Sequence, residues 1–223
     1  MPSSITLYRY LSAKWALKTL EERRFRVSRI AELNDPFEWR IGVVGDSSQE
    51  IEVGRNAFNE FLDRFNNKIG IISLSAVASD PVLWSHYADS HQGMAFEIDY
   101  DREGGLGAIS YSHALPTFDV TSFTKGSTRE NYTEALLQEA LGRKSLTWSY
   151  EREYRVYIGL DQCEEEGAQY FQPIPDVFLR RIILGIRCQT SIQEVKDILA
   201  ASGLSDVEVV QARMSDTSYE ILA

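Results

Sequence analysis

Apolar residues recur in two periods along this chain, and the switches between them mark its elements. Ile5 to Tyr10 alternates as a strand. Ser12 then stands at the N-cap of a helix whose Ala13, Ala16, Leu17 and Leu20 follow the i, i+3, i+4, i+7 stripe of an amphipathic surface. Phe25 to Ser28 returns to period two. Asn34-Asp35-Pro36-Phe37 is a turn, because Asn and Asp side chains bond back to the backbone and proline fixes φ. Its simplest use is to seat Phe37 in the core. A second helix is predicted over Gln49 to Phe65, with Ile51, Phe58, Phe61, Leu62 and Phe65 on one side.

Ile69 to Leu74 is a β-branched run of the kind that forms buried strands. Asp80-Pro81 supplies an N-cap and a proline at the first helical position, so Val82 to Asp89 should be a short helix. Gly93 ends it. Met94 to Tyr100 alternates as a strand, and Gly104-Gly105 turns the chain towards a hairpin partner at Leu106 to Tyr111. Asp119 to Thr128 reads as a polar loop and Arg129 to about Leu141 as a helix. Tyr154 to Leu160 and Tyr170 to Ile174 read as strands either side of a solvated turn at Glu164-Glu165-Glu166-Gly167. Arg181 to Ile186, Ser191 to Ala201 and Val207 to Val210 make a strand–helix–strand unit. No repeat or low-complexity linker divides the chain. The expectation is a single α+β domain over residues 1–223, with a twisted or split, mainly antiparallel sheet flanked by helices.

Net charge changes the picture more than composition does. At −10 for 223 residues, the average surface repels phosphate backbones, and the Lys and Arg residues are interspersed with acids. Non-specific nucleic-acid binding needs clustered cations that release counterions, so a general DNA coat is excluded while a local basic pocket is not. Cys163 and Cys188 stand far apart without a CxxC, which fits a reducing compartment and argues against a disulfide framework or zinc site. His86, His91 and His113 lack partners at ligand spacing, so no metal is expected. Walker, Rossmann, HExxH and GxSxG signatures are absent. No apolar run approaches the ~20 residues that span a bilayer. The N-terminus also lacks the basic and apolar regions of a signal peptide, so a cytoplasmic protein without a membrane partner is expected.

Three blocks concentrate reactive side chains: Leu7-Tyr8-Arg9-Tyr10, Trp84-Ser85-His86-Tyr87 and Glu151-Arg152-Glu153-Tyr154-Arg155. Alternation puts Tyr8 and Tyr10 on one face of the first strand and Arg9 on the other, where a guanidinium can hold a diphosphate with paired bonds. His86 and Tyr87 fall on the short helix, beside Trp84. Glu151 and Glu153 share a face if both lie in the strand, and one of them must then rise in pKa unless a cation intervenes. Arg155 and Arg9 are candidates for that cation. Asp35 or Glu38 is placed to orient Arg9. The plainer reading of each block is packing: tyrosines against a helix, a hydrogen-bonded histidine, a surface Glu/Arg ladder.

These blocks, with Asn34-Asp35-Pro36-Phe37-Glu38, Gly93 and the Ile182-Leu184-Gly185 tail strand, closely resemble the bacterial domain of unknown function 2971 family, in order and from Leu7 to the end of the chain. More distantly, Leu7-Tyr8-Arg9-Tyr10, a helix and Glu22-Arg23-Arg24-Phe25-Arg26-Val27 resemble the first unit of ADP-ribosyltransferases of the DNA- and RNA-modifying toxin type. That resemblance implies an enzyme that consumes NAD to modify a protein or nucleic acid, as a toxin or phage-defence effector. It implies Arg9 on the ribose or nicotinamide, Tyr87 or His86 packing the nicotinamide, and Glu153 or Glu151 acting on the sugar. Tyr8, Tyr10, Trp84 and Arg155 complete the implied NAD site. The first position departs from the family, having no His. Two other functions compete. One is a nuclease or phosphoryl-transfer enzyme using His86 with the Glu pair; the other is a non-enzymatic module with Tyr8, Trp84 and Trp148 as a ligand platform.

Overall fold

The computed structural model describes residues 4–101, 105–121, 139–175 and 178–223. In chain order the elements are β1 (Ser4–Leu11), α1 (Ala13–Glu22), β2 (Arg24–Arg29), β3 (Gly42–Val44), α2 (Ser48–Asn66), β4 (Ile69–Ser75), α3 (Pro81–Tyr87) and β5 (Met94–Asp101). There follow β6 (Leu106–Ala108), β7 (Ser110–Ser112), β8 (Thr117–Asp119), β9 (Arg143–Ser145), a 3-10 helix (Leu146–Glu151) and β10 (Glu153–Gly159). The last are β11 (Glu164–Glu166), β12 (Gln169–Pro173), β13 (Leu179–Leu184), α4 (Ile192–Ala201), β14 (Glu208–Gln211), β15 (Arg213–Met214) and β16 (Ile221–Leu222).

One ten-stranded, mainly antiparallel sheet dominates this mixed α/β fold and does not close into a barrel. Its order is β11-β12-β2-β4-β1-β5-β13-β14, with β10 on β4 and β6 on β10. Only the β13–β14 pair within it is parallel among the described strands, as the crossover through α4 requires. Alternation along β5 sorts the two layers. Phe96 and Ile98 face Leu7, Ile182 and the buried stripes of α1 (Ala16, Leu20) and α4 (Val195, Leu199). Ala95 faces the other way, towards Trp84 and Ala88 beside α3. Helix α2 begins on a capping box in which Ser47 and Glu50 satisfy each other's backbone N–H groups.

The sheet is split along one edge of β4. On its other edge β4 pairs continuously with β10, from Ser75 with Glu153 to Ile69 with Gly159. On the split edge, Gly70 and Ile71 pair with Arg29 and Ser28 of β2, while Ser75 pairs with Tyr8 of β1. Between them, Ile72, Ser73 and Leu74 have no strand partner on that side among the described residues. β1 and β2 part here, and the gap opens the cavity described below.

Several expectations are corrected. Leu106 to Tyr111 is not the hairpin partner of β5: it breaks at Ile109 into β6, which joins β10, and β7, which pairs in parallel with β9. Glu164 to Glu166 is a strand against β12, not a loose turn, because Arg24 on the neighbouring β2 bonds Glu164 and Glu166 and draws the acids into line. Phe37 is 57% exposed; Trp39, in the left-handed region at φ 63°, takes the buried position instead. The strand at Arg181 begins earlier, at Leu179, and ends at Leu184. Most of the expected loop after Asp119 and helix up to Leu141 lies outside the described residues.

Candidate functional site

The split gives a cavity of about 290 Å³, and its walls come from the blocks that the sequence separates. Tyr8, Arg9, Tyr10 and Leu11 line it from β1, Ser73 to Ser75 from β4, Tyr87 from α3, and Glu151, Glu153 and Arg155 from the third block. Register explains the meeting. Tyr8, Ser75 and Glu153 lie in a row across β1, β4 and β10, and cross-strand partners share a face. Arg9 therefore projects from the opposite face, and it reaches the same cavity only because the strands part there.

Arg9 bridges the split. Its Nη2 donates to the Arg26 carbonyl of β2 at 2.7 Å, and its guanidinium carbon lies 4.9 Å from the centre of the Phe25 ring. The residue as a whole is half-buried, but Nη1 is shut off from solvent and has no hydrogen-bond partner among the described residues. Burial and the neighbouring Arg26 lower the Arg9 pKa to about 10, so it stays charged at neutral pH. An enclosed guanidinium with a spare donor costs on the order of 1–3 kcal/mol, which an anionic partner would offset.

On the tyrosine face five buried charges meet. Lys144 Nζ lies 2.7 Å from Glu151 Oε2, 3.2 Å from Glu153 Oε2 and 3.2 Å from Glu38 Oε1. Arg155 holds Glu153 side-on, Nε to Oε1 at 2.7 Å and Nη2 to Oε2 at 2.9 Å, and its Nη2 also donates to Glu38 Oε1 at 2.6 Å. The Tyr87 hydroxyl donates to Glu151 Oε1 in a short bond and accepts from Asn34 Nδ2 at 3.0 Å. Three carboxylates against two cations leave the cluster one negative charge when all are ionised.

The chain reaches this geometry through one turn. Glu151 ends the 3-10 helix, Arg152 takes the left-handed region at φ 43°, and Glu153 begins β10. The two acids are thus not strand neighbours on one face, as the spacing suggested; they converge from two elements on a shared ammonium group. Their surroundings pull them apart. Burial would raise Glu153, but Arg155 and Lys144 outweigh it and hold its carboxyl below the ordinary range. Burial raises Glu151, and the bonds from Lys144 and Tyr87 offset only part of that. Burial would likewise lower Lys144, yet Glu153, Glu38 and Glu151 together keep it above its ordinary value. Of the two, Glu151 is the more readily protonated and Glu153 the more firmly held as an anion.

The structure leaves two of the expected site residues outside the cavity. Trp84 is fully buried, donates Nε1–H to the Ala78 carbonyl at 2.7 Å and packs edge-on against Tyr10 at 5.2 Å. His86 is exposed, with Nδ1 3.0 Å from the Tyr150 hydroxyl. Glu38 lines the cavity but pairs with Arg155 and Lys144, not with Arg9. The Asp35 carboxylate caps its own turn by accepting from Phe37 N at 2.9 Å. Lys144 and Asn34 were missed as site residues. Lys144 stands in a three-residue strand with no motif around it, so only the fold reveals what it faces.

Among the described residues no group of three His, Cys, Asp or Glu side chains is arranged to hold a metal ion, and no helix is long and apolar enough to cross a membrane. No protein-family model, curated protein or solved structure matches the chain.

Proposed function

We propose that this cavity binds NAD and that the protein is an ADP-ribosyltransferase-like enzyme, acting in the cytoplasm on a macromolecule as a toxin or phage-defence effector. The observation that carries the reading is the polarity of the cavity. One guanidinium with an unused donor and a carboxylate cluster with an excess negative charge line the same split. NAD carries both complements, an anionic diphosphate and a cationic nicotinamide on its ribose. At about 290 Å³ the cavity sits at the small end of the ~300–1,000 Å³ of ligand pockets, which suits the nicotinamide-ribose end and leaves the rest of NAD outside it.

In this reading Arg9 takes the diphosphate, Tyr87 packs the nicotinamide ring and Glu151 acts on the ribose. Breaking the nicotinamide bond builds positive charge on the sugar, in the manner of glycoside cleavage, and an ionised carboxylate beside it stabilises that charge. Glu153, bound on both oxygens, maintains the field around Glu151. The phosphoryl-transfer alternative is less well supported, because His86 lies outside the cavity.

Titration calorimetry with NAD, followed by labelled NAD in cell lysate, tests this. Arg9→Ala should weaken NAD binding roughly ten- to a hundredfold, the loss of a charge-assisted bond of about 1.5–3 kcal/mol. Glu151→Gln should bind NAD yet lose transfer by a hundredfold or more, about 3 kcal/mol of transition-state stabilisation. No NAD binding by the wild type ends the proposal. Binding with no transfer in any lysate favours the ligand-binding module.

A further inference from the structure

We propose that Lys144 is a positioning residue: its ammonium group is the internal counter-ion of a three-carboxylate cage and fixes the Glu151 carboxylate at the cavity wall. Glu38 arrives from the turn after β2, Glu151 from the 3-10 helix and Glu153 from β10, and one Nζ lies within 3.2 Å of all three. The Lys144 side chain is 3% exposed and those of Glu38, Glu151 and Glu153 are 3%, 7% and 6%. In the intact protein the ammonium and not bulk water therefore solvates these carboxylates, and a buried charge stripped of its partner is strongly unfavourable.

Lys144 is not interchangeable with Arg155 in this role. Arg155 is committed to Glu153 and Glu38, and among the described residues Lys144 is the cation that Glu151 contacts. The other groups facing Glu151 are the Tyr87 hydroxyl from α3, Glu153 from β10 and Tyr150 from its own 3-10 helix. The Tyr87 hydroxyl donates a hydrogen bond but brings no charge, and Glu153 repels. The Trp148 ring, 4.9 Å from Nζ, covers the ammonium from the side of the 3-10 helix and keeps it on the cage. The role does not depend on which ligand the cavity takes.

The test compares Lys144→Met, Lys144→Arg and Lys144→Ala with the wild type, and none of its measurements uses NAD. Carboxyl titration is read by infrared spectroscopy on protein carrying carbon-13 glutamate, with Glu151→Gln assigning the band. Lys144→Met should move the Glu151 titration to higher pH, because the carboxylate has lost its cation, while Lys144→Arg should leave it near the wild type. In Lys144→Ala, ethylammonium should enter the cage and raise the thermal midpoint in a saturable way, with no such effect on the wild type. If Lys144→Met does not fold, Lys144→Met combined with Glu38→Gln restores the net charge of the cage without the ammonium, and the same titration is read on it. An unchanged Glu151 titration in either methionine variant, or an equal response of wild type and Lys144→Ala to ethylammonium, overturns the proposal.

Discussion

Glu151 and Glu153 sit two positions apart, share one ammonium group and respond to acid in opposite senses. Glu153 is held below its ordinary value of 4.5, so it stabilises the fold above that pH and loses its contribution as pH falls through its folded value. Glu151 is raised, so its ionised form is the penalised one, and protonation on acidification relieves the fold. Glu153→Gln should therefore lower stability at neutral pH by about 3 kcal/mol, since it leaves the buried Arg155 with Glu38 alone, and should flatten the loss of stability below pH 4.5. Glu151→Gln should cost less, because Lys144 keeps two carboxylates, and should remove the gain that acid gives above pH 4.5. Urea titrations from neutral to acid pH read both; equal acid limbs in the two variants would contradict the assignment. A loss of activity in Glu153→Gln would mix folding with chemistry, which is why Glu151→Gln is the cleaner catalytic test.

At the scale of elements, what the sequence made legible were the runs whose side chains answer one dominant demand. Ile69 to Leu74 and Met94 to Tyr100 are strands because buried β-branched and alternating residues have few other uses, and Asp80-Pro81 starts a helix because its chemistry is local. The three-residue strands β3, β8 and β9 were not legible, and β6 and β7 were legible only as one run assigned to the wrong partner, since so short a run has no period and pairs only where the rest of the fold places it. The cage was invisible for the same reason, because Lys144 rides on one of them. Arg9, Tyr87 and Glu153 were legible as reactive residues; their convergence came from the split. Gly93 shows how closely the end of β1 is packed on its other side, before β5. A Cβ there would lie 2.1 Å from the Leu11 carbonyl oxygen, at the end of β1 beside the cavity, and 3.0 Å from the Ala88 backbone. Both obstacles are main chain and cannot rotate away. Gly93→Ala should thus cost about 2–3 kcal/mol, the scale of overpacking, and lower the thermal midpoint by several degrees. An unchanged midpoint would mean that β1 and the loop before β5 can part freely.

Across the whole molecule, the field of a −10 surface and the local field of the Arg9 guanidinium oppose each other. An anionic ligand approaching from solvent is repelled by the average surface, while the Arg9 guanidinium, enclosed at the split, attracts its phosphates at short range. Salt screens these two terms unequally. At about 0.15 M the Debye length is ~8 Å, so repulsion from distant surface acids is largely removed, whereas an enclosed contact is screened much less. NAD affinity should therefore stay flat or rise slightly as salt increases from low ionic strength to about 0.15 M. A ligand held by counterion release behaves in the opposite way, with affinity falling steeply over the same range. Calorimetry at several salt concentrations separates the two. A steep fall would place the phosphates on exposed surface cations such as Lys14, outside the split, and would remove Arg9 from the site.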